Sequence, residues 1–270
     1  MAGGRPDLVS PEGSATVGID LASQPKGTAA CVIEWGTGAG RIAELAENLT
    51  DSAIVDLVQS WPAAKVGIDA PFGWPIAFVH TLTVYSAGSG WPEVGEKQLE
   101  FRATDRYVRT MLGRWPLSVS TNYIAYIAFR CAGLLTQLAG PGEVVDRTGA
   151  GQAVEVYPAA ALGQWGIASS GYKLRSGATE AARGFRRETL GGIVREIREA
   201  GAAWLEMSEI DARRLEESDD LFDALVAALV ARAVAVERSL PIPPEHLAAA
   251  KAEGWIHLPI GERFAHFRPV

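Results

Sequence analysis

The residues Val-Gly-Ile-Asp occur twice, at positions 17–20 and 66–69. Each copy is a short apolar run closed by a carboxylate. Such a run, bounded by turn residues, reads as a buried strand whose last residue reaches the strand end. An ionised carboxylate is costly there unless it is paired, hydrogen-bonded or bound to a cation. If the two strands are parallel neighbours, both carboxylates lie at one side of a sheet, where open α/β folds bind ligands. Four repeated residues do not establish a duplication, because two buried strands that each present an aspartate produce the same pattern. They do commit the chain to a sheet with acids at one rim.

Around these strands the pattern is that of an α/β protein with one mixed sheet. Residues 28–35 read as the return strand of a hairpin and 41–46 as a third strand. A helical pattern through Ile54, Leu57 and Val58 follows Thr50 and Asp51, either of which suits an N-cap. Residues 72–151 read as a helical insertion after the strand at 65–69. It is loop-rich at 74–95, helical at 96–112 and helical again at 122–138. That last helix is apolar nearly all round and is expected to be buried. Residues 153–157 form a strand stopped by Pro158. Helices are expected at 159–165, 189–200, 218–238 and 245–253, and residues 255–258 form a final strand or an extended tail.

Of the 270 residues, 48% are hydrophobic and 21% charged, a globular balance that excludes a disordered, collagen-like or coiled-coil chain. No low-complexity linker divides the chain. Residues 16–270 are therefore read as one domain behind a Gly/Pro/Ser-rich disordered tail at 1–15. The two cysteines exclude a disulfide scaffold. With neither a signal-peptide core nor an apolar run long enough to span a bilayer, the expected location is cytoplasmic.

Further acids stand in apolar surroundings. Glu155 lies in the strand at 153–157 and is either a site residue or the partner of a buried arginine. Asp219, Asp220 and Asp223 open an otherwise apolar helix, and Asp220 and Asp223 differ by about 60° around its axis. Ser218 or Asp219 suits the N-cap, and acids in the first turn complement the helix dipole. Asp223 lies beyond the capping positions and needs another reason. Clustered carboxylates are hard oxygen ligands, which point to Mg2+ or Mn2+ rather than zinc. The 4 histidines have no ligand spacing. Arg102, Arg106 and Arg109 recur at helical spacing. They are candidates to grip phosphate, or else they pair with Asp105 and Glu100 on a solvated face. Lys173 is a further candidate for a phosphate contact. A net charge of −7 argues against a surface coated for nonspecific nucleic-acid binding.

Five segments in order resemble the motifs of the domain-of-unknown-function 429 family: Val17-Gly18-Ile19-Asp20, Gly67-Ile68-Asp69-Ala70-Pro71, Phe101-Arg102-Ala103-Thr104-Asp105-Arg106, Val154-Glu155-Val156-Tyr157-Pro158-Ala159 and Asp219-Asp220-Leu221-Phe222-Asp223-Ala224-Leu225. The resemblance runs from about Val17 to Pro259. It implies an RNase H-like fold, a five-stranded mixed sheet flanked by helices, with the first-strand acid at Asp20 and the fourth-strand acid at Asp69. Asp220 and Asp223 are similar to the spaced acids on the last helix of RuvC-type junction resolvases. The implied activity is that of a metal-dependent phosphodiesterase or nuclease using two Mg2+ or Mn2+ ions. Asp20 then bridges both ions, Asp69 and Asp223 each hold one, and Asp220 or Glu155 completes the shell. The implied partner is nucleic acid or another phosphodiester. The insertion at 72–151 replaces the short crossover of a minimal RNase H domain and is expected to cover the active side of the sheet. Two other classes compete. One is an ATP-binding phosphotransferase of sugar-kinase or actin type, which needs two halves with Gly-rich phosphate loops. The other is a non-catalytic RNase H-like scaffold that binds nucleic acid or protein.

Overall fold

A computed structural model describes residues 14–174, 177–261, 264 and 267. Most of the expected tail, residues 1–13, lies outside the described residues, and the first strand starts at Ser14. Strands β1 (Ser14–Asp20), β2 (Ala29–Trp35) and β3 (Gly40–Glu47) form an antiparallel meander. On the other side of β1, β4 (Lys65–Asp69) pairs with it in parallel, and β5 (Ala153–Glu155) pairs with β4 in parallel. A short strand, β6 (Leu205–Glu206), pairs in parallel with β3. The mixed sheet thus has six strands in the order β5-β4-β1-β2-β3-β6, one more than the five expected. The sixth is two residues long, too short to show any alternation in sequence. It is held where Gly40 N–H donates to the Trp204 carbonyl at 2.8 Å.

Ten α-helices flank or cover the sheet among the described residues. They are α1 (Asp51–Ser60), α2 (Ile76–Ser86), α3 (Glu96–Glu100), α4 (Ala103–Leu112), α5 (Ala125–Ala139), α6 (Pro158–Gln164), α7 (Glu180–Gly201), α8 (Glu209–Glu217), α9 (Asp219–Ala235) and α10 (Leu247–Glu253). The strand period of two assigns the faces. Val17, Ile19, Val66 and Ile68 pack against Ile54 and Val58 of α1 and Cys131 and Leu134 of α5. Cys31 and Ile33 face the other way, into a core shared with α7 and with Leu225 and Leu229 of α9.

Gly18 and Gly67 lie opposite one another in β1 and β4 and point toward α9. A Cβ at Gly18 would overlap the Ala224 carbonyl oxygen and the Ala228 nitrogen, and one at Gly67 would overlap the Ala227 carbonyl oxygen. The glycines of the two Val-Gly-Ile-Asp segments therefore let the backbone of α9 rest directly on the sheet. Ser218 caps α9 by accepting from Leu221 N–H, as Thr50 caps α1 by accepting from Ala53 N–H.

The insertion departs from expectation in three places. Residues 74–95, expected as loop, contain α2. The single helix expected at 96–112 is broken into α3 and α4 at Phe101 and Arg102, where Arg102 N–H turns to the Asp105 carboxylate at 2.9 Å. Helix α5 is one-sided rather than wholly buried: Cys131 and Leu134 are in the core, whereas Tyr126 and Phe129 are 68% and 59% exposed. Helix α8 was not anticipated, although Ser208 and Asp211 form a capping box at its start. Residues 255–258 run as an extended tail that makes a single bridge, Ile256 to Glu155. Among the described residues, no helix is long and apolar enough to cross a membrane.

Candidate metal centre

Asp20 and Asp69 are the terminal residues of β1 and β4 and stand in register as direct partners. Each lies two residues beyond a helix-facing glycine, so both carboxylates emerge on the α9 side of the sheet. Asp223 sits on α9 immediately before Ala224, whose carbonyl the Gly18 gap accommodates. The close helix thereby brings the third carboxylate down to the first two. One oxygen from each of Asp20, Asp69 and Asp223 lies within 4.8 Å of the others. Asp20 and Asp69 are half-buried, and Asp223 is buried.

The segment 172–174 closes this group from the side. Tyr172, which sequence reasoning had not singled out, donates its hydroxyl to Asp223 Oδ1 at 2.8 Å. Lys173 Nζ ion-pairs with Asp223 Oδ2. Asp219 holds the segment in place by accepting from Leu174 N–H at 3.1 Å, and Arg186 donates to the Lys173 carbonyl at 2.7 Å. Nothing in the sequence announces Tyr172, because it acts from a loop with no period. Only its adjacency to Lys173 hinted at a role.

Among the described residues, no hydrogen bond reaches the carboxylates of Asp20 or Asp69. Burial holds the Asp20 carboxyl well above the usual carboxylate range; Lys173 opposes this, and Asp69, Asp220 and Asp219 add to it. Burial likewise pushes Asp69 up to about 6, with Lys173 opposing and Glu155 adding. Between about pH 4 and pH 6, folded Asp69 keeps a proton that the unfolded chain has released, so stability falls as pH rises through that window. Above it the penalty stays in full, on the order of 1–3 kcal/mol once partial exposure is allowed for. Asp69→Asn is therefore expected to raise the melting temperature of the metal-free protein at pH 7.5 and to leave it nearly unchanged at pH 4. Paired thermal melts in chelator measure this. A lower melting temperature for the variant at pH 7.5 would mean that the carboxylate is a net stabiliser through Lys173.

Glu155 and Asp220 lie outside the three-carboxylate group. Asp220, half-buried in the first turn of α9, acts on Asp20 through its charge. Glu155 is engaged elsewhere: its Oε1 accepts from Arg102 Nη2 at 2.7 Å, and its Oε2 accepts from Arg102 Nη1 at 2.9 Å and from Phe72 N–H at 3.0 Å. Of the two readings left open for it, the geometry is that of the buried arginine pair. Arg102 itself is 2% exposed, and its remaining N–H groups go to both oxygens of Asp105 and to the Glu253 carbonyl. All five donors are used, so Arg102 is not available to grip phosphate, contrary to the sequence expectation. Its side chain is turned into the core, and the Asp105 pairing is buried rather than solvated. Arg106 is exposed, donates to the Phe101 carbonyl and lies outside the residues that line the cavity described next. Lys173 is placed at the carboxylates.

A cavity of about 300 Å³ adjoins the group. Asp20, Asp69 and Lys173 line it, and the Arg102–Glu155 pair reaches it from the protein interior. The insertion supplies a wall through Pro116, Leu117, Ile124 and Ile127. Glu253 secures the insertion from the C-terminal side, accepting from Ile76 N–H at the start of α2 (2.8 Å) and from Ala103 N–H at the start of α4 (2.6 Å). A carboxylate at two helix N-termini is favoured by both dipoles.

No curated protein matches the chain, and no solved structure does. The family described as "Protein of unknown function (DUF429)" matches residues 18–247, a span that contains all three aspartates, the Arg102–Glu155 pair and Lys173. Because that match covers most of the chain, the protein belongs to the DUF429 family.

Proposed function

We propose that this protein is a metal-dependent phosphodiesterase of the RNase H-like type, with Asp20, Asp69 and Asp223 as its metal ligands. The observation that carries the reading is the convergence of three carboxylates from two parallel strand ends and a helix. The donor set fits a hard divalent cation: it is all oxygen, and two of its three members have no hydrogen bond from the described residues. The antiparallel meander with β4 in parallel beside β1 supports the RNase H-like assignment. Mg2+ or Mn2+ bound here would activate water and stabilise the charge that develops on a phosphoester. A second ion would draw on Asp20 and on Asp220, whose charge already acts on Asp20.

The chain's own residues set the conditions for this. Tyr172 fixes Asp223 in one rotamer through the 2.8 Å hydrogen bond. Lys173 supplies the positive charge that balances the three carboxylates and, being partly exposed, is placed to turn toward an incoming phosphate. Without a counter-charge, carboxylates this close repel any phosphoester.

Calorimetric titration with Mn2+ tests the reading. The wild type is expected to bind saturably, and Asp20→Asn and Asp223→Asn are each expected to weaken binding at least about tenfold, the equivalent of about 1.4 kcal/mol. Binding left unchanged by both substitutions would overturn the site.

A further inference from the structure

We infer that the cavity beside the three aspartates is a slot for one apolar or aromatic substituent of a small organic phosphoester, so that the protein acts on small molecules rather than along a nucleic-acid strand. The inference rests on the metal-centre reading and narrows its substrate. At about 300 Å³, the cavity lies at the lower end of small-molecule sites. Its chemistry is graded. Asp20, Asp69 and Lys173 stand at one end, and Tyr157 also lines the cavity. Away from that end, the insertion wall is apolar, formed by Pro116, Leu117, Ile124 and Ile127.

Arg102 offers the cavity no free donor, because all five N–H groups of its side chain are already paired. A sugar hydroxyl or the edge of a nucleobase placed against the apolar side chains of the insertion wall would find no side-chain partner there, which is unfavourable. An aryl or alkyl group incurs no such penalty. A strand also needs a track of cations for its phosphates. Arg102, the arginine nearest the carboxylates in the lining, is spent internally, and the chain carries a net charge of −7.

Calorimetry on the Mn2+-loaded protein, with phenyl phosphate, methyl phosphate and a single-stranded oligonucleotide as probes, tests this. Phenyl phosphate is expected to bind at least about tenfold tighter than methyl phosphate, since only its ring gains apolar burial. Leu117→Ser removes part of the wall at a residue 62% exposed, so the fold should tolerate it, and it is expected to cut that preference at least about threefold. Mn2+ binding with equal affinity for the two phosphates would overturn the slot and leave the metal centre standing. Phenyl phosphate preferred even in metal-free buffer, with no Mn2+ binding, would keep the slot and overturn the metal centre. Oligonucleotide binding tighter than phenyl phosphate, or no binding of either phosphate, would overturn the slot.

Discussion

Arg102→Met is expected to lower the unfolding free energy by about 3–5 kcal/mol, the range for removing one partner of a buried ion pair. For a chain of this size that is a drop in melting temperature on the order of 10 °C. The reason is the state in which its partners are left. The side chains of Asp105 and Glu155 are 0% and 2% exposed, and Arg102 is the cation between them. Methionine fills much of the volume but leaves two buried carboxylates without a counter-charge. It also releases the Glu253 carbonyl, and with it one tie between α10 and the insertion. Because Glu155 in turn holds Phe72 N–H, just past Asp69, the damage reaches the loop beside the three aspartates. Adding Asp105→Asn and Glu155→Gln to the methionine variant is expected to restore at least about 1 kcal/mol, since neutral amides are buried more cheaply than charges. Urea denaturation of the three proteins measures both effects. A loss below about 1 kcal/mol in the single variant would mean that water or relaxation compensates the pair.

Gly18→Ala is expected to be as damaging and to act on the proposed metal centre without replacing any of its three carboxylates. The new Cβ would overlap backbone atoms of Ala224 and Ala228 and come within 2.9 Å of the Ala228 Cα. Backbone atoms of a packed helix have no rotamer with which to yield. Helix α9 must therefore lift from the sheet, at a cost of about 3 kcal/mol or more, the upper range for overpacking. Since Asp223 rides on α9, the lift separates it from Asp20 and Asp69, and Mn2+ affinity is expected to fall at least about tenfold. Gly90→Ala is the control: an added Cβ there meets nothing within 4 Å, and stability should stay within about 0.5 kcal/mol. Normal Mn2+ affinity in a folded Gly18→Ala protein would show that the site does not depend on the depth of the helix.

The two Val-Gly-Ile-Asp segments were legible as strands ending in acids because short apolar runs closed by a carboxylate have few other uses. Their glycines were not legible in the same way. Only the register of β1 with β4, and α9 laid across both, gives Gly18 and Gly67 their role. Asp223 stood out because it lies past the capping positions of an apolar helix. Glu155 carried the same signal, an acid in an apolar strand, yet its partner is an arginine 53 residues away on the insertion. The two cases are alike in one dimension and opposite in three. Arg102 misled for a related reason: spacing placed it with Arg106 and Arg109 on a helix, whereas the chain breaks before α4 and turns its side chain inward. The two-residue β6 was too short for any periodicity to reveal.

By itself, then, the sequence determined the α/β class and the helical insertion and marked out the acids in apolar surroundings, because hydrophobic period and the high cost of a buried charge are properties of short stretches of chain. Tertiary structure alone decided which acids face one another, which are neutralised internally and what walls the cavity. Those outcomes depend on distances between segments far apart in sequence, set by helix depth, strand register and the path of the insertion.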